Sequence, residues 1–366
     1  MKFPQFSSAV FTLIIASLLV LSSCRKHKMD EDMDATGMEK NIDYPAAYVV
    51  NGESNTVSVI KLSSNAVTET IDLMGTGSGM NNMGMWPHHI YHYSYPNMHQ
   101  LAIAMPGMDL SAGHTGSTAG MKGRIMILDA MKGMMVKEIE VPIMNHNAAF
   151  SPDGKEIWTS QMDMIGKVLV IDAITYAIKN TISVGADPTE VTFSADGSKA
   201  YVANGHDDNV SVINPSTKNV IATIPVGDNP VAAWVGYDGK MYVDNEDGKT
   251  VTVIDVASNT VIQTISLGFM PGSVAHNLLK KELWVTDPDN RKVHYWTWNA
   301  SSNIWAKAGS FNAGAGAHAI AFTNDGNTAY VTNQLAQSVS IISVESHLKI
   351  TDVQVGKKPN GIVIKY

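Results

Sequence analysis

Thiols are almost missing from this sequence, which has one cysteine, Cys24, in 366 residues. A single cysteine cannot form the Cys-x-x-Cys-His motif that attaches haem c. The chain also lacks a Gly-x-Ser-x-Gly nucleophile elbow and a glycine-rich phosphate loop. We therefore expect neither haem c nor a nucleotide cofactor, and we rank a hydrolase or oxidoreductase below a binding protein.

Positive charge and long apolar runs are also scarce. Lys and Arg number 26 against 34 Asp and Glu, so the formal net charge is −8, and nucleic acid is not an expected partner. The one long apolar run, residues 9–21, is short for a membrane span and follows the charged Lys2. This pattern is typical of an export signal.

The end of that run contains the only cysteine. Leu21-Ser22-Ser23-Cys24 resembles the lipobox of bacterial lipoproteins, in which the signal is cut before a cysteine that is then acylated. The resemblance implies a signal peptide over residues 1–23, lipidation at Cys24 and a membrane partner through the lipid anchor. The mature protein would then have no thiol for a disulfide, a nucleophile or a zinc–thiolate site. An ordinary signal peptide ending in Ser-Ser-Cys is the alternative.

Residues 24–43 are charged and poor in large apolar side chains, which predicts a flexible tether. Residues 28–32 resemble the signals that send some lipoproteins of Bacteroidota-type bacteria to the cell surface, and a linker without an address is the alternative. The expected location is the cell envelope, on the periplasmic side of the outer membrane or on the cell surface.

An internal repeat occupies residues 44–366. Segments 199–227, 240–268 and 328–356 share one template, in which apolar and polar residues alternate between Gly, Asn and Asp turns. This period of two predicts short strands, and the spacing fits four-stranded propeller blades. The aromatic of a Tyr-Val motif, or its equivalent, marks seven copies: Tyr48, Ala102, Trp158, Tyr201, Tyr242, Trp284 and Tyr330.

The two ends of the repeat complement each other. The first copy lacks an opening strand, whereas residues 359–364 form a spare one at the C-terminus. Pairing these segments would close the ring and leave no open sheet edge. We predict an all-β, seven-bladed β-propeller.

The motifs Tyr330-Val-Thr-Asn333 and Tyr201-Val-Ala-Asn204, with Asp-Gly turns between strands, resemble the YVTN-type repeats of bacterial surface-layer and periplasmic proteins. The resemblance implies the propeller fold but does not choose among functions. The default expectation for such repeats is a non-catalytic scaffold that binds an envelope protein or a polymer.

Methionine is concentrated in predicted insertions on one face of the disc. Fifteen of the 21 methionines lie between Met74 and Met164. Thioethers are soft ligands that favour Cu(I), although methionine also fills irregular gaps beneath loops. The candidate ligands of these loops are Met80, Met83, Met85, Met105, Met108, His114, Met162 and Met164.

Histidine recurs at the start of the innermost strands. The seven aligned positions are His88, His146, Thr189, Val231, Gly272, His318 and Asn360. Imidazoles near the axis beneath thioethers would suit copper. The predicted ligands are His88, His89, His146 and His318, and the predicted polar residues of the channel mouth are Asn147, Thr189, Glu190 and Asn360. Three hypotheses stay open: a copper-binding lipoprotein, a scaffold, or an enzyme in which Glu190 pairs with His88 or His146 as acid and base.

Overall fold

The computed structural model describes residues 39–74, 85–95, 98–110 and 120–366. The predicted lipidation site Cys24 and three predicted ligands, Met80, Met83 and His114, lie outside these residues. Within them the chain is all-β, and none of these residues belongs to a helix long and apolar enough to cross a bilayer.

In the described part of the chain, twenty-eight strands form seven four-stranded antiparallel sheets, so the predicted seven-bladed propeller is confirmed. Blades 1 to 4, each from its innermost strand outwards, are β28 (Pro359–Lys365), β1 (Ala46–Asn51), β2 (Thr56–Lys61), β3 (Ala66–Asp72); β4 (Ile90–Tyr95), β5 (Met98–Met105), β6 (Gly123–Asp129), β7 (Met134–Val141); β8 (Ala149–Phe150), β9 (Glu156–Gln161), β10 (Lys167–Asp172), β11 (Ile178–Ser183); and β12 (Pro188–Phe193), β13 (Ala200–Asn204), β14 (Asn209–Asn214), β15 (Asn219–Pro225). Blades 5 to 7 are β16 (Pro230–Val235), β17 (Lys240–Asn245), β18 (Thr250–Asp255), β19 (Thr260–Ser266); β20 (Val274–Asn277), β21 (Glu282–Asp287), β22 (Lys292–Asn299), β23 (Ile304–Asn312); and β24 (Ala317–Phe322), β25 (Thr328–Asn333), β26 (Ser338–Ser343), β27 (Leu348–Gln354).

The ring closes as predicted. The C-terminal β28 pairs antiparallel with β1, and Tyr48 lies opposite Val363. Blade 1 therefore joins the two ends of the repeat, and β28 covers the inner edge of β1 that would otherwise be open.

The marker aromatics pack between blades. Tyr48, Trp158, Tyr201, Tyr242, Trp284 and Tyr330 are among the largest fully buried side chains of the described chain. Each large ring removes much apolar surface from water at the contact with the next blade. The Tyr330 hydroxyl also donates a 2.7 Å hydrogen bond to Asn65 Oδ1 of blade 1.

The asparagine of the Tyr-Val-x-Asn motif fixes the strand register. Asn333 Nδ2 donates to Ser338 Oγ at 3.1 Å and to Ser340 Oγ at 2.9 Å. Its Oδ1 accepts from the Gly314 amide at 2.8 Å. A Cβ at position 314 would lie 2.4 Å from Asn333 Cγ, so this close approach requires glycine.

Hydrogen bonds between neighbouring blades position the aligned residues around the axis. Their main-chain carbonyl oxygens accept bonds from the preceding blade, and the donors are mostly hydroxyls. The pairs are Ser160 Oγ to Thr189 O, Thr189 Oγ1 to Val231 O (2.5 Å), Ser273 Oγ to His318 O (2.5 Å), Thr332 Oγ1 to Asn360 O (2.8 Å) and Gly361 N to His88 O (2.8 Å).

Candidate metal centre in the central funnel

A cavity of about 380 Å³ opens where the innermost strands begin. Its lining includes four histidines, His88, His89, His146 and His318. Four acidic residues also line it: Glu190, Asp244, Glu246 and Asp289. The two cationic residues in the lining are Arg291 and Lys358, and Lys358 is 3.5 Å from the Asp109 carboxylate. The volume is within the usual range for small-molecule sites.

Three of these imidazoles could hold a metal ion. The potential ligand atoms of His88, His89 and His146 all lie within 4.8 Å of one another, and all three residues are buried. The His146 ring centroid is 4.4 Å from that of His88 and 4.7 Å from that of His89. We call these three residues the histidine trio.

A bulge explains why two consecutive histidines face one cavity. Side chains of neighbouring residues in a regular strand point to opposite faces. Here the His88 amide donates to Ala104 O, and the Ala104 amide donates to His89 O, so two residues oppose one. Such a bulge re-aims a side chain, and it brings both rings toward the axis.

The same irregularity recurs around the ring. In blade 4 the register shifts by one residue between Pro188 and Val191, at the position of Thr189 and Glu190. Shifts at the corresponding positions of β16, β24 and β28 have the same sense. The funnel mouth is therefore built from pairs of consecutive residues, one pair from each of these blades.

Glu190 lies beneath the histidine trio with no solvent exposure. Its Oε2 is 3.8 Å from His146 Nδ1, and its Oε1 is 4.0 Å from His89 Nδ1. Asn147 Nδ2 donates to Oε1 at 3.1 Å, and the Tyr91 hydroxyl donates to the same oxygen. One buried carboxylate thus faces two imidazoles and is held by two donors from other blades.

Asn147 and Tyr91 fix this carboxylate in place. The Asn147 side chain pairs with the Val191 main chain, accepting from its amide at 3.2 Å and donating to its carbonyl at 2.8 Å. Burial and the Glu190 charge raise the pKa of Tyr91 well above its usual value. The phenol therefore stays protonated and remains a donor to Glu190.

The remaining predicted polar residues occupy different positions. His318 also lies beside the histidine trio, with its ring centroid 6.2 Å from those of His88 and His89. Thr189 is fully buried, and its hydroxyl donates to the next blade. Asn360 is buried and lines a small pocket next to His88.

The predicted methionine ligands that the structure describes lie in three different environments. Met105 is the last residue of β5 and is buried in the apolar core between blades 1 and 2, with Met85 packed against the same cluster. Met162 is buried with Met144 and Leu110, and Met108 packs against them. Met164 is 61% exposed.

One thioether in the cavity wall is not among the ligands predicted from the sequence. Met270 lines it, and Met108 lines the small pocket next to His88. Met105, predicted in a loop, belongs instead to a strand because its side chain continues the apolar face of β5.

Three further residues of the candidate site were not predicted from the sequence: Tyr91, Trp234 and Asp244. Tyr91 follows His89 by two residues, a spacing at which period-two patterning places side chains on one face, so the pattern could have indicated it. The Trp234 ring is 5.9 Å from the His89 ring. Asp244 stands in the Tyr-Val-x-Asn motif of blade 5, where other blades have small or apolar residues.

Several other histidines lie away from the cavity lining and stack on neighbouring rings. His92 stacks on His99 with ring centroids 5.6 Å apart, His347 stacks on Tyr295 at 3.9 Å, and His294 stacks on Phe269 at 4.4 Å.

Comparisons with known proteins support the fold only. No family model matches the chain, and no curated protein matches it. Solved structures do match. A periplasmic gluconolactonase of Pseudomonas aeruginosa has a TM-score of 0.68 and 15% identity, covering 88% of this chain and 99% of that one. A protein of unknown function from Desulfotomaculum acetoxidans has a TM-score of 0.69 and 12% identity, covering 89% and 99%.

Hydrazine synthase of Kuenenia stuttgartiensis is more distant, with a TM-score of 0.61 and 17% identity over 78% of this chain and 91% of that one. At such identities these similarities establish the propeller. They do not transfer an activity, because propellers host many unrelated functions.

Proposed function

We propose that this chain is a copper-binding β-propeller that holds its ion on His88, His89 and His146. The observation that carries the proposal is the convergence of three buried imidazoles, whose potential ligand atoms lie within 4.8 Å of one another. Nitrogens bound to one ion at about 2.0–2.1 Å are at most about 4.2 Å apart. A displacement of less than about 1 Å therefore completes the site.

The donor set favours copper among common metals. Neutral imidazole suits copper, zinc, iron and nickel, and affinity along the divalent first-row series is highest for Cu²⁺. Met270 in the cavity wall and Met108 near His88 offer thioethers, which favour the reduced ion. Glu190 supports a metal site on the trio, because its carboxylate oxygens, 3.8 Å from His146 Nδ1 and 4.0 Å from His89 Nδ1, favour a proton on each Nδ1 and leave Nε2 as the ligand.

A competition titration tests the proposal. Tag-free protein is titrated with Cu²⁺ and, separately, with Cu⁺ against a chelator, and one equivalent is expected to bind. The triple variant His88→Ala, His89→Ala and His146→Ala is expected to lose this binding, whereas a variant of the exposed His206 retains it. Thermal unfolding of the metal-free proteins checks that the triple variant folds. Equal binding by the triple variant and wild type refutes the site.

A second candidate is metal-assisted hydrolysis of a small lactone or ester. It is favoured by the cavity of about 380 Å³ that opens onto the histidine trio and leaves room for a substrate. Metal ions lower the pKa of bound water enough to supply a nucleophile at neutral pH. The name of the Pseudomonas gluconolactonase makes glucono-δ-lactone the first substrate to test. Copper binding without any turnover of this lactone above the rate of the triple variant would eliminate this candidate.

We also propose that the protein is exported and lipid-anchored at Cys24, a position outside the described residues. The support is the apolar run followed by Leu-Ser-Ser-Cys, which contains the only cysteine of the chain. Wild-type protein should partition into detergent after phase separation, and a Cys24→Ala variant should not. Equal partitioning would refute acylation at this residue.

A further inference from the structure

Asp244 is an unusual residue for its place in the repeat. It occupies the third position of Tyr-Val-x-Asn in blade 5 and has no solvent exposure. The equivalent positions of the other blades are Val50, Ala104, Ser160, Ala203, Thr286 and Thr332. Burying a carboxyl group costs free energy that these small residues avoid. Departures of this kind from the local pattern are expected at functional sites.

The two carboxyl oxygens of Asp244 have different surroundings. Oδ1 accepts a 2.9 Å hydrogen bond from Trp234 Nε1 and a 3.1 Å hydrogen bond from the Ala232 amide. Oδ2 is buried and has no hydrogen-bond partner among residues 39–74, 85–95, 98–110 and 120–366. The residue lines the funnel cavity. Buried polar atoms normally have a partner, so an unpaired atom in a cavity wall indicates a ligand.

The electrostatic surroundings define what Oδ2 can do. Burial, and then the nearby charges of Glu246 and Glu190, raise the pKa of Asp244 well above its usual value. A neutral carboxyl group carries one proton. The raised pKa favours the protonated form of Asp244, and because Oδ1 already accepts two hydrogen bonds, Oδ2 is the oxygen that would carry the proton and donate it to a ligand.

We propose that Asp244 is a ligand-binding residue that donates a hydrogen bond from Oδ2 to a carbonyl or ring oxygen of a small, neutral, polyhydroxylated ring compound. The proposal rests on the proposed function in one respect, namely that the far end of this ligand faces the histidine trio.

The rest of the cavity wall suits this class of ligand. The Trp234 indole links Asp244 to His89, with a centroid distance of 5.9 Å between the Trp234 and His89 rings, and it offers an apolar ring for packing. Glu246 and Asp289 line the same cavity and are acceptors for ligand hydroxyl groups. With Asp244 neutral, the lining still has three acidic residues against two basic ones, so an anion would be repelled more than a neutral molecule.

Two variants of Asp244 test whether its side chain acts as a hydrogen-bond donor or as an acceptor toward the ligand. Asp244→Asn keeps an acceptor for Trp234 and places an NH₂ donor where the Oδ2 hydroxyl was. Asp244→Val removes both groups and copies the residue that blade 1 has at this position. The probe is D-glucono-δ-lactam, a neutral ring with a carbonyl that is not hydrolysed like the lactone, and calorimetry is run on copper-loaded and on metal-free protein.

Wild type is expected to bind the lactam, the Asn variant to bind within about threefold of wild type, and the Val variant about tenfold more weakly, as befits one lost buried hydrogen bond. Thermal unfolding verifies that both variants fold. No lactam binding by wild type overturns the proposal, as does equal binding by wild type and the Val variant. Equal losses in the Asn and Val variants overturn the donor role.

The copper titration of the same proteins keeps the two proposals apart. Both Asp244 variants should bind copper like wild type, because the hydrogen bonds of Asp244 are made with Trp234 and the Ala232 amide and not with the histidine trio. If wild type fails to bind copper but still binds the lactam in an Asp244-dependent way, the metal site is refuted and the role of Asp244 stands.

Discussion

Substitution of Glu190 tests whether this buried carboxylate orients the imidazoles of the histidine trio for metal binding. The substitution Glu190→Gln keeps the volume and one carbonyl oxygen for the Tyr91 and Asn147 donors, but it replaces the other oxygen with NH₂. That oxygen, Oε2, is 3.8 Å from His146 Nδ1. An amide donor facing Nδ1 favours the tautomer with its proton on Nε2, and a protonated Nε2 cannot bind a metal.

Loss of an outer carboxylate of this kind costs about 10- to 100-fold in metal affinity, which equals about 1.4 to 2.7 kcal/mol. The assay is the chelator competition with Cu²⁺ near neutral pH, run beside thermal unfolding of the metal-free protein. Unfolding should shift little or upward, because a fully buried charge is costly to desolvate.

Glu246→Gln is the matched control, since it removes the same charge from the lining of the same cavity. It should change copper affinity much less than Glu190→Gln. Equal weakening by both variants would mean that the cavity acts through its overall charge. An unchanged affinity in Glu190→Gln would refute the orienting role of this carboxylate.

Three further changes have defined outcomes. Gly361→Ala places a Cβ 2.8 Å from His88 O and 2.9 Å from His89 Cα, so it should weaken copper binding in the same titration, and wild-type affinity would contradict this backbone constraint. Asn333→Ala removes three hydrogen bonds and should lower the free energy of unfolding in urea by about 2–3 kcal/mol, and a loss below about 0.5 kcal/mol would contradict the register role. Burial, with the nearby charges of His99 and Lys365, lowers the pKa of His92 from 6.5 to about 4. Between these two pH values the unfolded state binds more protons than the folded state, so the free energy of unfolding falls as the pH drops from 6.5 to 4. His92→Phe should reduce the loss between pH 7 and pH 5 by about 1–2 kcal/mol, and an unchanged pH profile of urea unfolding would contradict it.

The fold was predictable because its signal is repeated. Each copy has the same alternation, the same buried aromatic and the same Asn, so an error in one copy is corrected by the others. Even the closure by β28 follows from a missing strand at one end and a spare strand at the other. Ala102, which replaces the aromatic in blade 2, still aligns in β5.

The candidate site was only partly predictable. Alignment of the blades singled out His88, His146 and His318, and His89 came with them as the next residue. The bulge that turns His88 and His89 toward one cavity has no sequence signal of its own, since plain alternation would place their rings on opposite faces.

Contacts between residues of different blades could not be predicted from the repeat pattern. Glu190 depends on Tyr91 from blade 2 and Asn147 from blade 3, and only the assembled ring shows that these residues meet. Met105 shows the converse error, because clustering in sequence suggested a loop ligand where the strand buries the side chain in the core.

A symmetric scaffold can hold an asymmetric site because each blade contributes its own pair of residues at the funnel mouth. Imidazoles come from blades 2, 3 and 7, whereas the buried carboxyl groups Glu190 and Asp244 come from blades 4 and 5. Blades 5 and 6 place the small residues Val231 and Gly272 at the aligned position, and both line the cavity. A large side chain at either position would fill the space between the carboxyl groups and the imidazoles, so these two small residues keep that space open for the ligand proposed above.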